Sequence, residues 1–199
     1  MTEKEKMLAG SIYDPSDDEL LTLRKRAHEL CKRYNDTLES DAAEREAILA
    51  ELLPNRGEGA YLQGPIYFDY GVFTTVGKNF YANFNFTVLD VCPVTIGDNV
   101  FIGPNVSLLA PKHPMRWQER NAYVNALGRV TDKEYGAPIT IGDNCWIAGN
   151  VTILAGVTIG SGSVIGAGSV VVKDIPCNVF AAGNPCRVIR PITDKDSVC

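Results

Sequence analysis

Histidine is scarce in this chain: among 199 residues there are two, His28 and His113. A catalytic metal built on imidazoles needs about three such ligands, so a histidine-held metal centre is not expected. The six cysteines, Cys31, Cys92, Cys145, Cys177, Cys186 and Cys199, form no C-x-x-C pair. That removes a thiolate zinc site and, at this length, a disulfide framework. They read instead as small core residues. Positive charge is not in excess either. Lys and Arg number 19 against 24 Asp and Glu, a net charge of -5, which is no field for general nucleic-acid binding. The opening MTEKEKMLAG lacks an apolar signal core, and no hydrophobic run reaches transmembrane length. A cytoplasmic protein away from membranes is expected. At 45% hydrophobic and 22% charged, the chain has enough apolar material for a real core.

What the chain does have is a period. Ile141, Ile147, Ile153, Ile159, Ile165 and Val171 fall at a strict spacing of six, and Gly142, Gly160 and Gly166 follow three of them directly. Cys145, Val151, Val157, Ser163 and Ser169 recur four places after successive members. A helix of 3.6 residues per turn would smear these aliphatics around its surface, and a flat strand would repeat at two. A sustained period of six predicts a solenoid of short strands, each sending one aliphatic into an axial core and turning a corner near a glycine. Three strands close one coil of a triangular prism. The same phasing appears earlier at Val76, Ala82 and Val88, slips by two residues around Val91 to Val94, and resumes at Ile96, Ile102 and Leu108. The slip predicts a bulged corner.

Two stretches stand outside the period. Residues 1–56 are rich in Glu, Lys, Arg, Ala and Leu. Asp17 and Asp18 precede Leu20, Leu23, Ala27, Leu30 and Tyr34 at helical steps, and a second helix is expected from Ala42 to Leu53, stopped by Pro54. Short amphipathic helices need a surface to lie on, so this segment is expected to be a helical cap over one end of the prism. Residues 57–199 would form the β-helix itself, with a basic C-terminal segment. Within it, 110–138 carries charge, proline and bulky aromatics in no sixfold register and predicts a loop thrown out from a corner. Five coils at about 4.8 Å each would make a prism about 25 Å long.

Both histidines can be placed on this frame. His28, between Ala27 and Glu29, reads as a solvated or interfacial helix residue, whereas His113 lies where the repeat breaks off, in P-K-H-P-M-R-W. Around it runs an ordered set of motifs: Y-F-D-Y-G (67–71), N-F-Y-A-N-F-N (79–85), L-D-V-C-P-V-T-I-G-D-N-V (89–100), H-P at 113, E-Y-G-A-P-I-T-I-G-D-N-C-W-I (134–147) and G-N-P-C-R-V-I-R (183–190). Together with the A-G-S-I-Y start, this set resembles the maltose and galactoside O-acetyltransferases, hexapeptide-repeat enzymes whose prism is a left-handed parallel β-helix. The resemblance spans nearly the whole chain.

The resemblance implies an acetyl-CoA-dependent sugar O-acetyltransferase without a metal. His113 would be the general base, taking a proton from a sugar hydroxyl as that oxygen attacks the thioester. Glu134 of E-Y-G would fix its tautomer. Asn83 matches the active-site asparagine that steadies the tetrahedral intermediate, although Asn side chains also stack at β-helix corners. Asp69 and Asp90 match acceptor-binding positions, with Val91 standing where the family has the second acid of a pair. Asp14 is the nearest acid to a sugar-binding aspartate, which strict matching aligns with Pro15. Carboxylates suit sugars because each accepts several hydroxyl hydrogen bonds. For the donor, Asn83, Trp146, Gly149, Ala167, Val172 and Lys173 would line the pantetheine and nucleotide channel, and Arg187 and Arg190 would meet the phosphates. In the family, sites lie between neighbouring prisms of a trimer, and Trp117, Tyr123 and Leu127 supply apolar anchors on the loop that reaches a partner. A homotrimer with three shared sites is expected.

Other readings are open on this fold. A non-sugar acceptor, such as serine or an antibiotic, would use the same base. A metal hydratase of the same architecture needs more histidines than the chain has. A non-catalytic scaffold leaves His113 and the cluster of Lys173, Arg187 and Arg190 without a purpose.

Overall fold

The computed structural model describes residues 1–198 and puts the sixfold register inside. Ile141, Ile147, Ile153, Ile159, Ile165 and Val171 are all buried, and so are the five small residues that follow them. Three sheets of parallel strands result. The first contains Tyr61–Leu62, Tyr81–Ala82, Phe101–Ile102, Trp146–Ile147, Val164–Ile165 and Val179–Ala182. The second stacks Ile66–Phe68, Phe86–Leu89, Ser107–Leu109, Thr152–Leu154 and Val170–Val171. The third stacks Thr74–Val76, Val94–Ile96, Ile139–Ile141 and Thr158–Ile159, and Ile175 bridges to Ile159. The chain visits the three in turn, which is a parallel β-helix.

Each coil repeats its neighbour in register, so one core column runs Leu62, Ala82, Ile102, Ile147, Ile165 and Ala181. Each fully buried Ile or Leu contributes about 1.5–3 kcal/mol of transfer free energy. The corners need left-handed backbone, which glycine and asparagine tolerate best. Asn79, Asn85, Asn99, Asn105, Asn144 and Asn150 all have φ between 53 and 59°. Their amides form ladders along the axis, Asn85 donating to Asn105 at 2.8 Å and Asn105 to Asn150 at 3.1 Å.

Coils early in the chain are 20 residues long and a later one is 18. The extra two residues sit at the corner between the second and third sheets, at 69–73 and 90–93. This is the expected slip near Val91. The long loop leaves from that same corner one coil later, so this edge of the prism is thickened over its first three coils.

The N-terminal segment has three helices: α1 (Glu3–Leu8), α2 (Asp18–Asn35) and α3 (Ala42–Leu52). The first was not anticipated; its signal is a capping box between Thr2 and Glu5. Helix α2 buries Leu20, Ala27, Leu30, Cys31 and Tyr34, close to the expected stripe. Its last turn closes the open edge of the first coil. Asn35 both donates to the Ile66 carbonyl and accepts from the Ile66 amide, as a neighbouring strand would. Tyr34 donates to Leu62 O at 2.5 Å, and Arg45 of α3 donates to Leu62 O and Gln63 O. At the other end, Arg187–Pro191 pairs antiparallel with Val179–Ala182. Four cysteines are buried and unpaired, Cys177 is exposed, and Cys199 lies outside the described residues.

Candidate active site

The loop at the thick corner is a hairpin at its root. Pro111–Lys112 pairs antiparallel with Tyr135–Gly136, with Lys112 facing Tyr135. His113 is the next residue outward on one arm, and the other arm brings 132–134 opposite it. The His113 Nδ1 lies 3.1 Å from Asp132 Oδ2 and 3.4 Å from the Lys133 carbonyl oxygen. Both partners accept hydrogen bonds. Nδ1 must therefore carry the proton, which leaves Nε2 as the basic nitrogen. The ring is half exposed, with 44% of its side-chain surface open.

Glu134 was expected to hold this ring. It makes no hydrogen bond or ion pair with His113 among the described residues; Asp132 does. Glu134 instead turns inward, where burial pushes its carboxyl above the usual range, and the facing Tyr13 hydroxyl and then the nearby His113 pull it back. The Tyr13 amide donates to its carbonyl at 3.0 Å. The Tyr13 hydroxyl is buried and faces the Glu134 carboxyl without reaching hydrogen-bond geometry, and burial drives its pKa up. Tyr70, also near Glu134, has the same buried hydroxyl without a partner.

The three predicted acceptor acids meet three fates. Asp69 is at the thick corner beside this cluster. Burial raises its carboxyl, against the opposing charges of His28 and Arg24 on α2. Its Oδ1 lies 3.6 Å from His28 Nε2, which makes His28 the interfacial of its two expected settings. Asp90 does not face solvent at all. It accepts from the Tyr70 amide at 2.8 Å and the Thr74 hydroxyl at 2.9 Å, and burial lifts its pKa to about 6. A carboxylate spent on folding the corner has no oxygen open to a sugar. Asp14 is likewise occupied. It accepts from Ser16, from Asn125 at 2.7 Å and from Thr131 at 2.6 Å, which ties the loop to the N-terminal segment. Those hydrogen bonds lower its pKa to about 2 despite partial burial.

The donor-side residues divide between two corners. Asn83, Gly149 and Ala167 lie along one corner, between the first and second sheets, with the Gly103 coil between Asn83 and Gly149. A groove of about 280 Å³ there is lined by Tyr81, Asn83, Phe101, Pro104, Trp146 and Gly149. Asn83 stands outside the asparagine ladders; its Oδ1 accepts from the Phe84 amide at 2.7 Å. Neighbouring coils approach so closely here that a Cβ on Gly103 would lie 2.6 Å from the Gly149 nitrogen. Trp146 is 54% exposed on the first sheet. Val172 and Lys173 are instead at the thick corner, both exposed. Arg187 donates to Cys186 O, and Arg190 forms a two-pronged ion pair with Asp196 at 2.6 and 2.9 Å. Arg190 is thus already paired and would have to exchange Asp196 for a phosphate. The loop's expected apolar anchors, Trp117, Tyr123 and Leu127, are exposed on this chain. Polar groups anchor the loop here: Arg129 to Asp18 at 2.8 Å, with the Asn125 and Thr131 contacts to Asp14.

Sequence reasoning missed Asp132, the His28–Asp69 pair and Arg24. Asp132 had a readable signal, since a hairpin root places residues just before Tyr135 opposite those just after Lys112. The pairing of α2 with the corner had none.

Comparison with known proteins agrees with this fold. The chain matches the maltose acetyltransferase hexapeptide capping motif over residues 6–57, the bacterial transferase hexapeptide (six repeats) over 138–173, and the hexapeptide repeat of succinyl-transferase over 93–108. It is 45% identical to the galactoside O-acetyltransferase of Escherichia coli (strain K12), over 98% of this chain and 92% of that one. Among solved structures it resembles a maltose O-acetyltransferase from Clostridium difficile 630, with a TM-score of 0.88 and 46% identity, covering 98% of this chain and 99% of that one. It also resembles a galactoside acetyltransferase in complex with coenzyme A, with a TM-score of 0.89 and 44% identity over 98% of this chain and 94% of that one.

Proposed function

The chain belongs to the maltose and galactoside O-acetyltransferase family of hexapeptide-repeat enzymes, and from that premise we propose that it moves an acetyl group from acetyl-CoA to a sugar hydroxyl with His113 as general base. One observation carries the base assignment: two acceptors face Nδ1, so Nε2 is left free to take a proton. In the reaction, Nε2 takes the hydroxyl proton while the oxygen attacks the thioester carbonyl. The carbon–oxygen bond forms, the carbon–sulfur bond breaks, and the imidazolium returns its proton to the departing thiolate. Asn83 would donate its amide hydrogens to the oxyanion of the tetrahedral intermediate. Asp69 would accept acceptor hydroxyls. No acyl-enzyme is needed, because donor and acceptor held in one complex already have most of the orientation the step requires.

The donor groove and the base lie on different corners of one prism. That separation supports a homotrimer in which the loop of one subunit brings His113 to the Asn83 groove of its neighbour. The exposed Met115, Trp117 and Leu127 on the loop, and Phe101 and Trp146 on the first sheet, are the apolar surfaces such an assembly would cover. Gly149, Ala167 and Trp146 would then lie along the pantetheine arm, with Val172, Lys173, Arg187 and Arg190 nearer the nucleotide. The five unpaired cysteines suit a reducing, cytoplasmic setting. Among the described residues, no helix is long and apolar enough to cross a membrane.

The test is thioester consumption by wild type and His113→Ala across a panel of sugars. The variant should lose about 10²–10⁴-fold in kcat on the best sugar. Retained activity would remove His113 from the mechanism. Light scattering after gel filtration checks the assembly, and a clean monomer would contradict shared sites.

A further inference from the structure

On the same edge as the base runs a second hollow, which shares Asp69 with the acceptor site and otherwise has no part in the proposed reaction. It lies between α2 and the second sheet, encloses about 450 Å³, and is lined by His28, Cys31 and Lys32 from the helix and Tyr67, Asp69 and Leu89 from the coils. Its volume falls in the range of small-molecule sites, about 300–1,000 Å³. We propose that this groove is an acceptor-extension subsite that takes the second pyranose ring of a disaccharide, while the first ring presents its hydroxyl to His113; the proposal rests on the sugar-acetylation reading above.

The chemistry of the lining is what selects a sugar ring. A pyranose has an apolar C–H face and a rim of hydroxyls. Tyr67 is the outward residue of its strand and is 48% exposed, so its ring offers a flat apolar platform that folding does not use. Leu89 and the buried Cys31 continue the apolar lining. The polar groups are at the edges. Asp69 keeps an oxygen beyond the one that meets His28, His28 is mostly exposed, and Lys32 stands near the mouth, where Asp36 holds its amine at 2.7 Å. Asn35 also borders the groove but is committed at both ends to Ile66. A purely apolar ligand would leave Asp69 and His28 desolvated against it, and a bare anion would meet the Asp69 carboxylate.

Continuity supplies the second argument. Asp69 is one wall of this groove and follows Phe68 on the same edge of the prism from which, two coils on, the loop carrying His113 leaves after Leu109. A glycoside with its reacting ring at His113 can therefore extend past Asp69 toward Tyr67 without crossing the prism.

The experiment compares kcat/KM for maltose and for glucose in wild type, Tyr67→Ala and Lys32→Ala. Both side chains are exposed, so the variants should fold. Wild type should prefer maltose by about tenfold, the worth of one good ring contact. Tyr67→Ala should cut that preference to about twofold, through a higher KM for maltose, with KM for glucose and for acetyl-CoA unmoved. Lys32→Ala should act in the same direction, and less. Calorimetric binding of maltose and glucose to His113→Ala reads the same preference without turnover. If no sugar is acetylated yet this binding preference is present and depends on Tyr67, the acetylation reading fails while the subsite stands. Equal losses on both sugars in Tyr67→Ala, or no preference for maltose in either assay, would overturn the subsite. A gain for an aryl glucoside without a gain for maltose would overturn it too, since the groove would then take an apolar aglycone.

Discussion

His113 and Asp132 meet through one nitrogen and one oxygen, 3.1 Å apart, across the root of the long loop that leaves the coils. That contact sets which nitrogen is left free, and under the mechanism proposed above it would stabilise the imidazolium formed during transfer. Asp132→Ala should therefore lower kcat by about 10–100-fold and leave KM for acetyl-CoA unchanged, with partial recovery in Asp132→Glu. Steady-state kinetics on the three proteins checks it. A larger loss in Glu134→Gln than in Asp132→Ala would return the orienting role to Glu134.

Asp90 shows how a motif position can be occupied by folding. Removing its carboxylate in Asp90→Ala strands the Tyr70 amide and the Thr74 hydroxyl inside the corner. Each stranded group costs about 1–3 kcal/mol, so the variant should be strongly destabilised in urea while its folded fraction keeps the wild-type KM for sugar. The pH dependence has a definite sign. The folded pKa is raised to about 6 from an ordinary 3.8, so the folded protein binds this proton more tightly. The stabilisation is complete below about pH 4 and is lost as pH rises through about 6. Between pH 5 and 7, wild type should lose stability that Asp90→Asn does not.

These two aspartates mark the boundary of what the sequence could say. The coil core was readable because every inward position obeys one spacing, and Ile141 to Val171 are buried as that spacing requires. Asp90 was misread because the two additional residues of its corner turn the side chain inward, and spacing carries no sign of direction once the register slips. Asp132 was passed over because the loop has no periodicity and its partner is 19 residues away in the chain. Asn83 and the ladder asparagines look alike in sequence. They differ in backbone, since the ladder residues hold positive φ and Asn83 does not. His28 reads as solvated or interfacial on its own helix. Only the packing of α2 against the second sheet brings it to Asp69.

Asp14 acts as a latch. Its carboxylate gathers Ser16, Asn125 and Thr131, the last two from the loop that carries His113. Asp14→Ala should free the outer loop, seen as faster amide exchange across 123–131, with a fall in kcat and little change in melting temperature. Because the folded pKa is lowered to about 2, the latch contributes above about pH 4 and is lost as pH falls through about 2. Wild-type exchange in this segment should therefore rise only in strong acid. Unchanged exchange in Asp14→Ala would mean that Arg129 and Asp18 hold the loop by themselves.

Tyr13 separates a structural hydroxyl from a functional one. Its backbone joins Glu134, and its ring is buried with the hydroxyl facing the Glu134 carboxyl, which it favours in the charged form without closing a well-formed hydrogen bond. A buried hydroxyl without a partner has already incurred its desolvation cost, so deleting the oxygen relieves that cost and leaves the ring packing intact. Tyr13→Phe should then be neutral or slightly stabilising, within about 1 kcal/mol in denaturant unfolding. Its effect on catalysis is the informative half. If the hydroxyl swings to Glu134 or to an acceptor when substrate enters, kcat falls although stability does not. If kcat holds as well, Glu134 tunes the corner through burial and charge alone, and the base is served by Asp132 without a relay through Tyr13.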